Sequence, residues 1–161
     1  MQHRKSNFII KHLILFLLAF NAAMAQDEVL PKSKLFVAKS GYFVFEKPPI
    51  FTITDNKVEV SQLVEQFAAE IGKQTGMNTR TFIGNFKAKI GFSFITKKDI
   101  KLGANGYFLD IGTRQITVTA EKPAGYVRAI ETLRKLTSVR VENGVSSQYR
   151  KVKIRCCYVE D

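Results

Sequence analysis

The spacing of apolar residues changes repeatedly along this chain, and each change marks a predicted element. Two short alternating segments, Leu35–Ala38 and Tyr42–Phe45, read as strands separated by a turn at Lys39-Ser40-Gly41. After Pro48-Pro49 the run Ile50-Phe51-Thr52-Ile53-Thr54 alternates again, and Asp55-Asn56 offers a helix cap. From there Val60, Leu63, Val64, Phe67, Ala68 and Ile71 fall on a single helical face, with Gly76 as the natural stop. Arg80–Phe86 and Ile90–Thr96 return to strand character, with Ile90, Phe92 and Phe94 expected on one face. Gly106–Gly112 and Gln115–Ala120 form a predicted hairpin turning at Thr113-Arg114. Pro123 opens a second helix with Tyr126, Ala129, Ile130, Leu133 and Leu136 as its buried stripe. A last strand, Tyr149 to Tyr158, sets Arg150, Val152 and Ile154 against Tyr149, Lys151 and Lys153.

Two helices and about seven strands, with hairpins dominating, predict an α+β domain. The expected architecture is a largely antiparallel sheet with both helices packed on one face. The sequence contains no internal repeat, low-complexity tract or linker.

The N-terminus is of a different kind. Arg4, Lys5 and Lys11 precede the apolar run Leu13–Phe20, and Ala23-Met24-Ala25 is a small-x-small cleavage site, so residues 1–25 read as a secretory signal peptide. The apolar run is far shorter than the roughly 20 residues of a membrane span, and no later segment approaches that length. Cleavage after Ala25 predicts an exported protein, periplasmic or extracellular, or lysosomal in a eukaryote. Gln26 at the new terminus gives no lipidation signal.

Removing the signal peptide narrows the chemistry. His3 and His12 both lie inside it, which excludes catalytic triads and zinc sites that depend on histidine. The formal net charge falls from +11 to +8, since three basic residues and no acidic ones are lost. An exported basic protein is expected to meet anionic envelope material, a polysaccharide or nothing specific, in preference to nucleic acid. Cys156 and Cys157 are neighbours, with Cα atoms about 3.8 Å apart, too close for an unstrained bridge. They read as two reduced thiols, with a redox switch or intermolecular bond as the sharper alternative.

Residues Asn105 to Leu136, N-G-Y-F-L-D-I-G-T-R-Q-I-T-V-T-A-E-K-P-A-G-Y-V-R-A-I-E-T-L-R-K-L, carry a recognisable pattern. It resembles the small domain preceding the catalytic barrel in glycoside hydrolase family 20 β-N-acetylhexosaminidases. That domain shows Glu-x-Tyr-x-Leu-x-Ile, then Ile-x-Ile-x-Ala, a Gly, and Gln-Thr-Leu-x-Gln-Leu. Upstream, Val29-Leu30-Pro31 and Gly41-Tyr42-Phe43-Val44-Phe45 resemble its opening segments. The likeness extends from Val29 to Tyr158; Asn105 replaces the usual Glu, and Glu131 and Lys135 replace Gln. It implies a domain over residues 26–158, followed at 159–161 by a lead-in resembling the start of the barrel.

The resemblance also implies where the chemistry lies. In such enzymes the catalytic Asp-Glu pair belongs to a (β/α)₈ barrel C-terminal to this domain, and the substrate's 2-acetamido group acts as nucleophile. On this chain no catalytic, cofactor-binding or metal-binding residue is expected, and no cofactor. Asp27-Glu28 sits at the mature N-terminus and Glu160-Asp161 at the last positions, neither in an enclosed site that would raise a carboxyl pKa. Glu65, Glu70, Asp110 and Glu131 are scattered over predicted helix faces and a strand surface. Arg150, Lys151, Lys153 and Arg155 read as a solvated, guarded edge strand before they read as a polyanion patch. Tyr42, Tyr107 and Tyr149 are strand aromatics for which sugar stacking is the sharper reading. The expected role is an accessory, stabilising domain whose partner is the family 20 barrel, in cis or in trans. A stand-alone exported module binding a glycan or a protein is the alternative.

Overall fold

The computed structural model describes residues 33–45, 47–84, 90–98, 102–138, 141–142 and 151–161. The predicted signal peptide, Asp27-Glu28, Val29-Leu30-Pro31, Phe86, Tyr149 and Arg150 lie outside the described residues.

The elements run β1 (Leu35–Phe45), β2 (Ile50–Ile53), α1 (Val58–Thr75), β3 (Arg80–Ile83), β4 (Gly91–Thr96), β5 (Tyr107–Ile111), β6 (Gln115–Ala120), α2 (Pro123–Ser138), β7 (Val141–Glu142) and β8 (Lys151–Glu160). One sheet runs in the order β1-β8-β5-β6-β4-β2-β3, with the short β7 also paired to β8. The α+β class holds, but the sheet is mixed. β2 pairs in parallel with β3 and β4, and β4 pairs in parallel with β6. The pairs β1–β8, β5–β6, β5–β8 and β7–β8 are antiparallel. The parallel pairs arise where the chain skips a position: α1 carries it from β2 over to β3, the next strand β4 returns to the other side of β2, and β5 lies beyond β6, so that β6 comes back beside β4. Alternation within a strand says which residues face the core and nothing about which strand lies alongside, so the hairpin was legible and these crossovers were not.

Both helices pack on one face. Phe67 of α1 meets the stacked rings of Phe51 and Phe92, and Tyr126 of α2 lies against Phe94. The expected stripes are buried, with Leu63 and Leu136 partly buried at their margins. Phe43 and Phe45 of edge strand β1 also touch Phe92 of β4, with their ring centroids 5.6 and 6.1 Å away. Three strands separate β1 from β4 in the sheet, so the sheet curls until its edge closes over the helical side.

Local corrections have identifiable causes. The two expected N-terminal strands are one: Lys39, Ser40 and Gly41 of β1 bulge opposite Cys156 alone, with Gly41 at φ +92°. Helix α1 begins after Lys57 with no side-chain cap; the Asp55 carboxylate instead accepts the Lys57 N–H, two residues on, at 3.1 Å. At its far end Gly76, at φ +75°, donates to the Gly72 carbonyl, the expected left-handed stop. β3 ends at Ile83, because Gly84 turns at φ +127° and donates to the Ile53 carbonyl. Ile90 precedes β4 and is 45% exposed, so Phe92 and Phe94 enter the core without it. β8 runs on through Glu160, carrying Val159 into the core. At Gly125 a Cβ would lie 2.4 Å from the Gly106 carbonyl oxygen, so only glycine lets α2 seat so closely.

Candidate functional site

The carboxylates that the sequence left scattered stay apart, and each described ion pair joins one acid to one base. Lys39 reaches Asp110 at 2.6 Å across the bulge, and Arg134 grips Glu70 with two hydrogen bonds of 2.7 and 2.8 Å between the helices. Glu70 is thereby held below the ordinary glutamate range, the Arg134 bonds outweighing partial desolvation. At Asp55, burial pushes the pKa up. Hydrogen bonds from Lys57 N–H and Thr96 and the Lys57 charge outweigh it and leave the group lowered.

Two polar constellations, one part-buried and one fully buried, were not anticipated. At the C-terminal end of β4, Thr96 Oγ1 donates to Asp55 Oδ2 at 3.0 Å and shares a 2.7 Å hydrogen bond with the Tyr126 hydroxyl. Burial pushes the Tyr126 pKa up to about 12. Two strands away in register, the Tyr107 hydroxyl bonds Thr132 Oγ1 at 2.7 Å in a fully buried site. Beside it Asp161 exchanges both backbone hydrogen bonds with Tyr107, and its carboxylate pairs with Arg128. Tyr107 is therefore a core residue and not a sugar platform, and burial raises its pKa. Asp161, expected outside any enclosed site, is buried. These networks satisfy buried polar groups and fasten the helices to the sheet. Threonines at helical and strand spacing give little advance sign of such roles.

The thiols are inaccessible. Cys156 and Cys157 are free and 1% and 2% exposed, on adjacent positions of one strand. Cys157 joins the core, and Cys156 lies under the bulge near Gly41. Burial raises both pKa values, that of Cys157 to about 11. Among the described residues no group of three or more His, Cys, Asp or Glu is placed to hold a metal. A groove of about 270 Å³ lined by Pro48, Pro49, Ile50, Asn78 and Arg80 contains no acid. No helix among the described residues is long and apolar enough to cross a membrane.

The basic residues are placed differently from expectation. β8 is not an edge, since β1 covers one side and β5 and β7 the other. Lys153 and Arg155 face outward, away from the buried Val152 and Ile154. Lys153 Nζ stands 4.3 Å from the Tyr42 ring centroid, and Arg155 lies opposite Tyr42 in register.

These features define a class: a two-layer α+β domain with polar networks that serve its packing. The family model for glycosyl hydrolase family 20, domain 2, matches residues 26–161, and the chain belongs to that family. Solved structures with the same fold include three bacterial enzymes. A Streptomyces plicatus N-acetyl-β-hexosaminidase matches with TM-score 0.66 and 20% identity over 86% of this chain and 26% of its own. A Flavobacterium johnsoniae chitobiase gives TM-score 0.61 and 21% identity over 82% and 20%. A Vibrio harveyi exo-β-N-acetylglucosaminidase gives 0.59 and 17% over 82% and 18%. The chain therefore spans about a fifth to a quarter of these relatives. No curated protein sequence matches it significantly.

Proposed function

We propose that this chain is an accessory domain that packs on and stabilises a family 20 catalytic barrel, in cis or in trans, in an exported β-N-acetylhexosaminidase. The observation carrying this reading is the family match over residues 26–161, set against the small share of each solved relative that the chain covers. The separation of the described carboxylates supports a non-catalytic role. Substrate-assisted cleavage requires one acid for the leaving oxygen and a second to orient the acetamido group. Here Asp55, Asp110, Glu70 and Asp161 are each bound to a different cation. Exposed Leu35, Phe36 and Val37 on β1, and Val58 and Ile83 beyond it, offer apolar surface for a neighbour.

The test pairs two measurements. The purified chain is incubated with a chromogenic N-acetylglucosaminide, and is then co-expressed with a family 20 barrel lacking its own second domain. No turnover by the chain alone, with a higher melting temperature of the barrel in its presence, is the expected result. Turnover that follows the chain through purification would overturn the reading. The stand-alone glycan-binding alternative is favoured by the outward aromatic and basic residues of β8.

A further inference from the structure

Lys153 and Arg155 project from a strand that β1 pairs along one side, while on the other side β5 pairs it from Cys157 onward and β7 at Lys151 and Val152. Among the described residues neither cation forms an ion pair, whereas Lys39, Lys57, Arg128 and Arg134 all do. Both stand beside Tyr42, which is 38% exposed. The Lys153 ammonium, 4.3 Å from the ring centroid, puts a positive charge and an apolar ring within the span of a single hexose.

The outward strip continues past the bulge. There Tyr158 and Phe108 lie nearly parallel, with centroids 6.2 Å apart and planes at 23°, and Lys39 sits 5.9 Å from the Tyr158 centroid. Lys39 is neutralised by Asp110, so the uncompensated charge is concentrated at the Tyr42 end. Tyr158 lies three residues beyond Arg155 along β8, a separation of about 10 Å, the scale of a disaccharide. The inward neighbours Val152, Ile154, Cys157 and Val159 fix this strip in the sheet by their burial, so its side chains project from a rigid platform.

We infer that the outward face of β1 and β8 binds an anionic polysaccharide. Tyr42 and the Tyr158–Phe108 pair contact the apolar faces of sugar rings, and Lys153 and Arg155 pair with uronate or sulfate groups. A neutral glycan would use the rings and leave both cations idle. A nucleic acid would use the cations and, in duplex form, have no exposed ring face for Tyr42. The positive balance of the whole chain brings polyanions to the surface, and the aromatic positions select among them. This inference stands independently of the accessory role, because it concerns a face of this chain alone.

Calorimetric titration of the full chain with a sulfated or uronate-containing oligosaccharide, and with a neutral chito-oligosaccharide of equal length, tests it. The expected result is binding of the anionic ligand that weakens with salt, and at least about tenfold weaker binding of the neutral one. Lys153→Gln with Arg155→Gln should lower the anionic affinity by about tenfold and flatten the salt dependence. Tyr42→Ala should weaken binding and leave the salt dependence in place. Comparison of the two ligands on the unaltered chain needs no variant to fold. Absence of binding, equal or tighter binding of the neutral ligand, or duplex DNA competing equally with no effect of Tyr42→Ala would each overturn the inference.

Discussion

The parallel strands β2, β4 and β6 and the antiparallel ribbon β1–β8 solve the same burial problem differently. In the parallel part, short strands deliver Phe51, Phe92, Ile53, Phe94, Ile116 and Val118 to one face, and two helices cover them. The ribbon has no helix of its own at its bulged end. It bends at Lys39–Gly41 and carries Phe43 and Phe45 across to the rings that α1 already covers. A helical layer relies on repeated side-chain period, while a curled ribbon relies on one irregularity placed correctly. The first tolerates drift in local sequence; the second depends on the few residues that make the bend.

The largest effect is expected where the two parts meet. Phe92 touches Phe43, Phe45, Phe51 and Phe67, and Phe92→Ala should cost about 3–5 kcal/mol in urea unfolding. Unfolding should remain a single transition, since both parts share that ring; two separate transitions would show that they are independent units. Next comes the seating of α2. Gly125→Ala places a methyl group against the Gly106 carbonyl oxygen and Ala120 Cβ, and should cost about 1–3 kcal/mol, read as a lowered melting temperature.

The ribbon's bend is tested by Gly41→Ala. The substitution forces a side chain into φ +92° and to 3.1 Å from Thr113 Cγ2, for an expected loss of about 1–2 kcal/mol. Amide exchange should quicken first in β1 if the ribbon is the more local device; uniform quickening across β2 and β4 would contradict that. The smallest effect concerns the Arg134–Glu70 pair between the helices. Both side chains are more than a third exposed, so Arg134→Ala should cost only about 0.2–1 kcal/mol. The folded Glu70 pKa lies below its free value of 4.5, so the pair's contribution is present above that pH and is lost as pH falls through the lowered value. The unaltered chain and Arg134→Ala should therefore converge in stability under acid, and a gap that widened there would refute the assignment.

Much of the frame was legible in the sequence because period alone encodes it. The stripes Val60–Ile71 and Tyr126–Leu136 and the hairpin around Thr113-Arg114 needed no partner to be recognised. The single bulged β1 was read as two strands because a turn and a bulge share the residues Lys-Ser-Gly. The basic residues of β8 were read as an edge because strand order leaves no mark on a strand's own alternation.

By itself the sequence determined the buried stripes of the two helices, where those helices begin and end to within a few residues, and which family the pattern resembles. These follow from local period and from residue type, which act over a few positions. Tertiary structure decided the parallel pairing of β2, β4 and β6, the interior place of β8, and the closure of Phe43 and Phe45 onto Phe92. It also made the Tyr107–Thr132 and Tyr126–Thr96 bonds, which join residues 25 and 30 positions apart. Each of these depends on what the chain brings alongside a given strand, a matter of backbone hydrogen bonds that every residue type offers equally.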